Sequence, residues 1–232
     1  MSVKTLAFLA LAASTMLGAG LSLVRADDTM PAPKPGETPA KPGEPAKPAE
    51  GEKKAERPAA PAFTLKDLDG KERTLAEFAG KWVVLEWTNY SCPFVKKFYD
   101  SGFMQDLQKT YTGKGVVWLS INSSAEGKQG FQSVEEWKKA AADKKVASTA
   151  ILLDTDGKVG HLYGAKTTPD IRVIDPKGGL VYEGAIDDQN DMKADPKKAN
   201  NYVVQVLDAV LAGKDAPVKA TKPYGCGVKY AQ

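Results

Sequence analysis

The most constraining feature of this chain is an apolar run that ends shortly before a cysteine and a proline. The run, Trp82 to Trp87, holds one charged side chain, Glu86, and is typical of a strand buried on both faces in the centre of a parallel sheet. Cys92 follows the run, and Pro93 comes next, as a favoured first residue of a helix. The sequence therefore predicts a strand-to-helix turn with a thiol at the start of the helix.

The segments around this turn alternate between strand and helix patterns. Strands are predicted within residues 63–74 and near 115–121, 150–154, 171–175 and 180–184, and helices near 93–111, 133–145, 159–163 and 201–211. A kink is expected at Ser101-Gly102. Helices that alternate with parallel strands, closed by an antiparallel hairpin, predict an α/β fold with a central mixed sheet flanked by helices. An N-terminal hairpin that turns at Asp69-Gly70 extends it.

The N-terminal part of the chain differs from the rest in composition. Residues 1–26 have a basic start, an apolar run and a small residue before Asp27, which predicts a secretory signal peptide; an uncleaved membrane anchor is the alternative. Residues 27–60 hold eight of the fifteen prolines and no aromatic residue, which predicts a disordered linker. A folded domain is predicted over 61–213, followed by a tail over 214–232.

Charge and cysteine content exclude several classes of function. The 32 basic and 29 acidic residues are intermixed and give a formal net charge of +3, so no nucleic-acid partner is predicted. Two cysteines and one histidine, His161, are too few for a four-ligand zinc site, and we predict neither a metal nor an organic cofactor. After signal cleavage, we expect no stable membrane insertion and an exported protein, periplasmic or extracellular, in a compartment that oxidises thiols.

A thiol at the predicted turn is expected to be reactive. Cys92 would face unpaired backbone N–H groups and the positive end of the helix dipole, and both favour the thiolate. Lys96 and Lys97, one turn later, would add to this effect. The alternative is a buried inert cysteine, because free cysteine is among the most buried residue types.

Two stretches, VVLEWTNYSCPFVKKF and TTPDIRVIDPKGGLVYEGAID, resemble the redoxin families: thioredoxin-like and peroxiredoxin-like proteins of the alkyl hydroperoxide reductase and thiol-specific antioxidant type. The resemblance covers residues 63–211 and implies a thioredoxin fold. Thioredoxins carry Cys-x-x-Cys at this turn, so Cys92 corresponds to their nucleophile while Val95 stands at the second position. Peroxiredoxins place a threonine three residues before their reactive cysteine, where this chain has Asn89, with Thr88 one residue earlier.

The resemblance also implies roles for residues away from the cysteine. Glu86 stands where thioredoxins have a buried acid that accepts a proton. Thr168-Pro169 stands where they have a cis-proline that exposes backbone for substrate pairing, and a cis bond is permitted before proline. Thr168 and Pro169, together with Pro93 and Asn89, are the predicted substrate-binding set, and Thr88 joins the cysteines and Glu86 in the predicted catalytic set.

The second cysteine has two interpretations. Cys226 lies between two glycines in a tail predicted to be flexible, so it could swing onto Cys92 and resolve an intermediate. Alternatively, the same pair could form a static disulfide; closing a loop of about 135 residues would stabilise the fold by roughly 5 kcal/mol in the chain-entropy model.

These observations predict a thiol-dependent oxidoreductase with antioxidant activity, in which Cys92 attacks a peroxide or a protein disulfide and an unknown thiol donor restores the protein. A peroxide would need a nearby arginine; Arg172 is the candidate, although strand alternation leaves its side-chain direction open. The alternative is a non-catalytic thioredoxin-fold binding module held together by a structural Cys92–Cys226 disulfide.

Overall fold

The computed structural model describes residues 57–231, so the predicted signal peptide and most of the predicted linker lie outside the described residues. A four-residue 3-10 turn, Leu75–Phe78, follows the second strand. The strands are β1 (Thr64–Asp67), β2 (Glu72–Thr74), β3 (Val83–Trp87), β4 (Val117–Asn122), β5 (Ala150–Leu153), β6 (Thr167–Thr168), β7 (Asp170–Ile174), β8 (Leu180–Gly184) and β9 (Cys226–Gly227). The helices are α1 (Pro93–Asp100), α2 (Phe103–Gly113), α3 (Val134–Asp143), α4 (Lys158–Leu162) and α5 (Tyr202–Leu211).

The main sheet places the strand that precedes the cysteine near its centre. Its order is β2-β1-β5-β4-β3-β7-β8, and β6 and β9 form a separate pair. Strand β3 runs parallel to β4 and antiparallel to β7, and β4 runs parallel to β5. Every residue of β3 is buried, because helices and loops cover both faces of the sheet. This mixed sheet flanked by helices is a thioredoxin fold, as the resemblance implied, and the β1–β2 hairpin is the predicted N-terminal extension.

Two hydrophobic clusters cover the two faces of the sheet. On one face, Val84 of β3 packs with apolar residues of α1, α2 and α5, among them Phe98, Met104 and Val206. On the other face, Leu85 and its neighbours pack with residues from the N-terminal segment, the 3-10 turn and α4. Cys92 belongs to the first cluster. The same face therefore holds the reactive turn and most of the helices.

The predicted helix over 93–111 is divided into α1 and α2 at the expected kink, Ser101-Gly102, because Gly102 adopts a left-handed conformation with φ of 76°. One boundary differs from the sequence prediction. The predicted linker was to extend to residue 60, but Pro58 to Ala60 already pair with the turn between β7 and β8. Arg57 adds an ion pair to Asp175 at 2.8 Å. Within residues 57–231, no helix is long and apolar enough to cross a membrane.

Candidate active site

The start of α1 carries the predicted reactive cysteine. The amide of Cys92 donates to the carbonyl oxygen of Asn89 at 2.9 Å, and its own carbonyl accepts from the amide of Lys96 at 2.9 Å. Pro93 is the first helical residue, where a missing N–H breaks no helical hydrogen bond. The Cys92 side chain is fully buried. It adjoins the backbone N–H groups of the first helical turn, where the helix dipole favours a thiolate.

Two groups from distant parts of the chain contact the Cys92 sulfur. The sulfur of Cys226 lies 2.6 Å away and the carbonyl oxygen of Thr168 lies 3.2 Å away, and both cysteines are free thiols. Burial opposes ionisation of Cys92, but hydrogen bonds from Cys226 and the amide of Val95 outweigh it, so the pKa of this thiol is lowered. Burial and the adjacent Cys92 raise the pKa of Cys226 to about 11. Cys92 is therefore the more acidic thiol of the pair.

The loop that contacts the sulfur contains the predicted cis-proline. The Thr168–Pro169 peptide bond is cis, as predicted. Strand β6 ends at Thr168 and pairs antiparallel with β9, so that Thr168 lies opposite Cys226. The backbone edge beside Pro169, which the resemblance assigns to substrate pairing, is thus occupied by the protein's own tail.

The tail, residues 214–231, is docked along the domain, whereas the sequence predicted that it would be flexible. Before the cysteine, the amide of Thr221 donates to the carbonyl oxygen of Glu183 at 3.0 Å, which pairs the tail with the end of β8. After the cysteine, the amide of Val228 donates to the carbonyl oxygen of Lys166 at 3.1 Å. These backbone contacts exist only in the folded chain, so the local composition of the tail could not reveal them.

The aromatic side chains of the tail anchor it on either side of Cys226. The Tyr230 ring stacks on the His161 ring with centroids 3.9 Å apart, and its hydroxyl donates to the carbonyl oxygen of Ala165 at 2.8 Å. The Tyr224 ring meets the Phe94 ring edge-on at 5.7 Å. The histidine that the sequence analysis left without a role therefore supports the tail.

Glu86 lies in the core, on the face of the sheet that carries α1 and α2. Burial raises the pKa of its carboxyl group, and the hydrogen bonds that it accepts oppose this shift. Within the described part of the chain, Cys92 is not among its hydrogen-bond donors. The donors are the indole of Trp118 at 2.8 Å, the phenol of Tyr99 at 2.9 Å, the amide of Gln108 at 3.0 Å and the hydroxyl of Ser120 at 3.2 Å.

Thr88 and Asn89 lie in the turn between β3 and α1. Among residues 57–231, the buried hydroxyl of Thr88 has no hydrogen-bond partner. The side chain of Asn89 is fully engaged: its oxygen accepts from the amide of Ser91 at 2.9 Å, and its nitrogen donates to the carbonyl oxygen of Gln129 at 3.1 Å. Asn89 therefore shapes the turn through these two bonds.

Arg172 points to the face of the sheet opposite Glu86. It lies beside Leu85 in the pairing of β7 with β3, whereas Ile171 lies beside Glu86, and consecutive strand residues point to opposite faces. Its guanidinium forms an ion pair with Asp170 at 2.5 Å. The structure thus answers the open question of its direction: Arg172 is occupied away from the Cys92 face.

A buried cluster beside Cys226 was not singled out in the sequence. The ammonium of Lys97 donates to the carbonyl oxygen of Gln189 at 2.7 Å and to the phenol of Tyr224 at 3.2 Å, and lies 3.9 Å from the carboxylate of Asp187. The Tyr224 hydroxyl donates to that same carboxylate. Lys97 was expected to favour the thiolate, but its charge is directed to this cluster. The one available signal was that Lys97 and Tyr224 each lie close in sequence to a cysteine.

The fold and the site define a class of protein. It is a thioredoxin-fold protein with a cysteine directly before α1, and this cysteine faces a cis-proline loop and a second thiol. Residues 57–183 match the AhpC/TSA family. This match covers more than half of the chain, and the chain therefore belongs to the AhpC/TSA family.

Curated relatives of this chain carry redox names. "Thiol-disulfide oxidoreductase ResA" of Geobacillus thermodenitrificans (strain NG80-2) is 29% identical over 119 residues, which are 51% of this chain and 63% of that protein. "Thioredoxin-like protein YneN" of Bacillus subtilis (strain 168) is 30% identical over 120 residues, 51% of this chain and 65% of that protein. The match thus spans somewhat less than two thirds of the length of these two relatives.

Solved structures of uncharacterised proteins match more of the chain. A hypothetical protein from Sinorhizobium meliloti 1021 superimposes with a TM-score of 0.66 at 26% identity, over 78% of this chain and 97% of that one. An uncharacterised conserved protein from Geobacillus kaustophilus gives a TM-score of 0.66 at 29% identity, over 76% of this chain and 92% of that one. Neither protein carries a name that states an activity.

Proposed function

We propose that this protein is a thiol-disulfide oxidoreductase in which Cys92 attacks and Cys226 resolves. The observation that carries the proposal is the 2.6 Å approach of the Cys226 sulfur to the lowered-pKa thiol of Cys92 at the start of α1. The names of the curated relatives support the same class of chemistry. Protein disulfides are the proposed substrates, and an unidentified dithiol is the proposed reductant.

The reaction cycle balances with these two thiols, one substrate disulfide and the external dithiol. The Cys92 thiolate attacks one sulfur of the substrate disulfide, a mixed disulfide forms, and the other substrate sulfur leaves as a thiolate. Cys226 then loses its proton to water in the groove and attacks the Cys92 sulfur. The Cys92–Cys226 disulfide forms and the second substrate thiolate leaves. Two electrons pass to the substrate, and the external dithiol returns them to the protein.

Access to Cys92 requires movement of the tail. Cys92 is fully buried and Cys226 is partly buried, and the β9 strand covers the edge beside Pro169. A substrate strand that uses this edge must first displace residues 226–227. Thr168 and Pro169 then form the wall of the proposed substrate groove, with Pro93 on its helical side.

We assign Glu86 and Asn89 to positioning rather than to proton transfer or substrate contact. The carboxylate of Glu86 joins β3 to α1, α2 and β4 through four hydrogen bonds. Asn89 closes the turn that holds Cys92. We propose that the protein acts outside the cytoplasm, as the pattern of residues 1–26 predicts, where such a pair can be oxidised.

Peroxide reduction is the second candidate, because the chain belongs to the AhpC/TSA family. In that reaction the Cys92 thiolate attacks one peroxide oxygen, a sulfenic acid forms, and the other oxygen leaves as water or an alcohol. Cys226 would then displace hydroxide and form the disulfide. Among residues 57–231, the buried hydroxyl of Thr88 has no hydrogen-bond partner, which leaves it free to bond a peroxide. Arg172 points to the opposite face of the sheet.

Intact-mass spectrometry of the reduced protein separates these functions. We expect stoichiometric oxidised glutathione or a protein disulfide to produce loss of two hydrogens within seconds to minutes. Cys92→Ser should abolish this loss, and Cys226→Ser should accumulate the mixed disulfide. Faster oxidation by hydrogen peroxide, with sulfenic acid trapped in Cys226→Ser, would instead support the peroxidase. A bond that no dithiol can reduce would contradict both and favour the stapled binding module.

A further inference from the structure

The buried cluster beside Cys226 joins three parts of the chain. Lys97 belongs to α1, Asp187 follows β8, and Tyr224 belongs to the tail. We call Lys97, Asp187 and Tyr224 the clasp. The Lys97 and Asp187 side chains are 2% and 0% exposed, so their interaction is shielded from solvent. The Tyr224 hydroxyl contacts both charged groups, and hydrogen bonds to charged groups are stronger than those between neutral groups.

The clasp is attached to the same helix as the attacking thiol. Lys97 lies five residues after Cys92, and the Tyr224 ring also packs against Phe94, in the first turn of α1. A tyrosine held by these two side chains has a fixed position relative to the Cys92 sulfur. The tail is thus fastened to the helix that presents the nucleophile.

Only one residue, Gly225, separates the clasp from Cys226, and its backbone is packed closely against the cis-proline loop. Gly225 has φ of 133°, and a β-carbon built there would lie 2.1 Å from the carbonyl oxygen of Thr168. The chain from Tyr224 to Cys226 therefore lies directly on the cis-proline loop. The position of the clasp determines where the Cys226 sulfur lies.

The other anchor of the tail is of a different kind. Tyr230 lies four residues after Cys226, stacks on His161 and donates to a backbone carbonyl. Both of these partners, His161 and Ala165, belong to α4 and the segment that follows it. The clasp, by contrast, joins the tail to the Cys92 helix through Lys97.

We propose that the clasp is the positioning element that holds Cys226 against Cys92 and closes the groove, so that opening the clasp exposes Cys92 and weakens the internal disulfide. The part that concerns the disulfide rests on the proposed function. A closed clasp raises the effective concentration of the Cys226 thiol at the Cys92 sulfur, which favours the internal disulfide over a mixed disulfide with a substrate. When the clasp opens, β9 leaves β6, and the backbone edge of β6 beside Cys92 becomes free for a substrate strand.

The test compares Tyr224→Phe with wild type and with Tyr111→Phe. Both variants remove one phenol hydroxyl, and Tyr111 also hydrogen-bonds an aspartate, Asp208, at 3.0 Å, but it does so where α2 meets α5 and not at the clasp. The first measurement is the alkylation rate of Cys92 in the fully reduced protein, followed by peptide mass spectrometry. We expect Tyr224→Phe to raise this rate roughly tenfold, because it removes a hydrogen bond to charged groups, and Tyr111→Phe to leave it unchanged.

The second measurement is the equilibrium between the protein dithiol and oxidised glutathione. We expect Tyr224→Phe to lower the constant for forming the internal disulfide about tenfold, equal to about 30 mV for a two-electron couple. Lys97→Met should produce the same two changes, and the double variant should add little to either one, because both substitutions open one clasp.

An unchanged Cys92 alkylation rate in both Tyr224→Phe and Lys97→Met would overturn the proposal, as would an unchanged disulfide constant. The alkylation measurement needs no disulfide to form. If wild type forms none with glutathione, the proposed function fails while the alkylation rate still decides whether the clasp closes the groove.

Discussion

Two residues of α1 reach two buried carboxylates, and the two sites are satisfied in different ways. Tyr99 donates to Glu86, which accepts four hydrogen bonds from neutral side chains of the core. Lys97 reaches Asp187, which lies between an ammonium, a phenol from the tail and the amide of Gln189. Within residues 57–231, one oxygen of Asp187 has no hydrogen-bond partner.

The difference concerns how easily water can reach each carboxylate: Glu86 is enclosed by elements of the core, whereas Asp187 is partly covered by the tail. All of the donors to Glu86 belong to α1, α2 and β4, so water reaches this carboxylate only if those elements separate. The site at Asp187 is closed partly by Tyr224, which belongs to the C-terminal tail and not to a helix or strand of the core. Local opening follows regions with fewer buried contacts. We therefore propose that Glu86 contributes to the stability of the core and that Asp187 contributes to the position of the tail.

The largest expected effect comes from removing the carboxylate in the core. Glu86→Ala should lower the free energy of unfolding by about 3–5 kcal/mol, because several buried donors lose their acceptor at once. Urea denaturation followed by tryptophan fluorescence measures this change. Glu126→Ala, in an exposed loop, is the control and should change stability by less than about 0.5 kcal/mol. A loss of stability as small as that of the control would show that the Glu86 carboxylate does not stabilise the core.

A smaller effect is expected when the tail alone is displaced. Gly225→Ala would place a β-carbon 2.1 Å from the Thr168 carbonyl oxygen, in a conformation that side chains rarely adopt. We expect a stability loss of about 1–3 kcal/mol with a marked increase in Cys92 alkylation. Gly70→Ala, which also has positive φ but open space around it, is the control and should leave Cys92 protected. Equal alkylation in both variants would mean that the tail does not protect the thiol.

The smallest effect is the pH dependence of the core site. Burial raises the pKa of Glu86 above its ordinary 4.5, so the folded state binds this proton more strongly than the unfolded state. The stabilisation is therefore present below pH 4.5 and is lost as the pH rises through the folded-state pKa. The stability of wild type minus that of Glu86→Gln should decrease as the pH rises from 4.5 towards neutrality, by at most about 1.4 kcal/mol per pH unit.

Urea unfolding of both proteins across this range measures that difference. Asp154 and Asp170, whose pKa values burial also raises, are present in both proteins and cancel. A difference that is flat, or that increases with pH, would show that the four hydrogen bonds outweigh burial.

Several features of the fold followed from local patterns. The apolar run before Cys92 predicted a central strand, which the structure places at Val83–Trp87, and Cys92-Pro93 predicted the start of α1. These predictions succeeded because strand burial and helix initiation depend on neighbouring residues. The direction of Arg172 and the docking of the tail could not be predicted, because both depend on contacts between residues far apart in the chain.

The sequence by itself determined that a cysteine would stand at the start of a helix behind a buried strand, with a second thiol in the chain, and the cis bond before Pro169 followed from the family resemblance. Only the tertiary structure decided that Cys226 lies at the Cys92 sulfur and that Tyr224 is fastened to Lys97 and Asp187. The physical reason is distance along the chain. Helix and strand preferences act over a few residues, whereas the clasp joins side chains that are up to 127 residues apart and meet only in the folded chain.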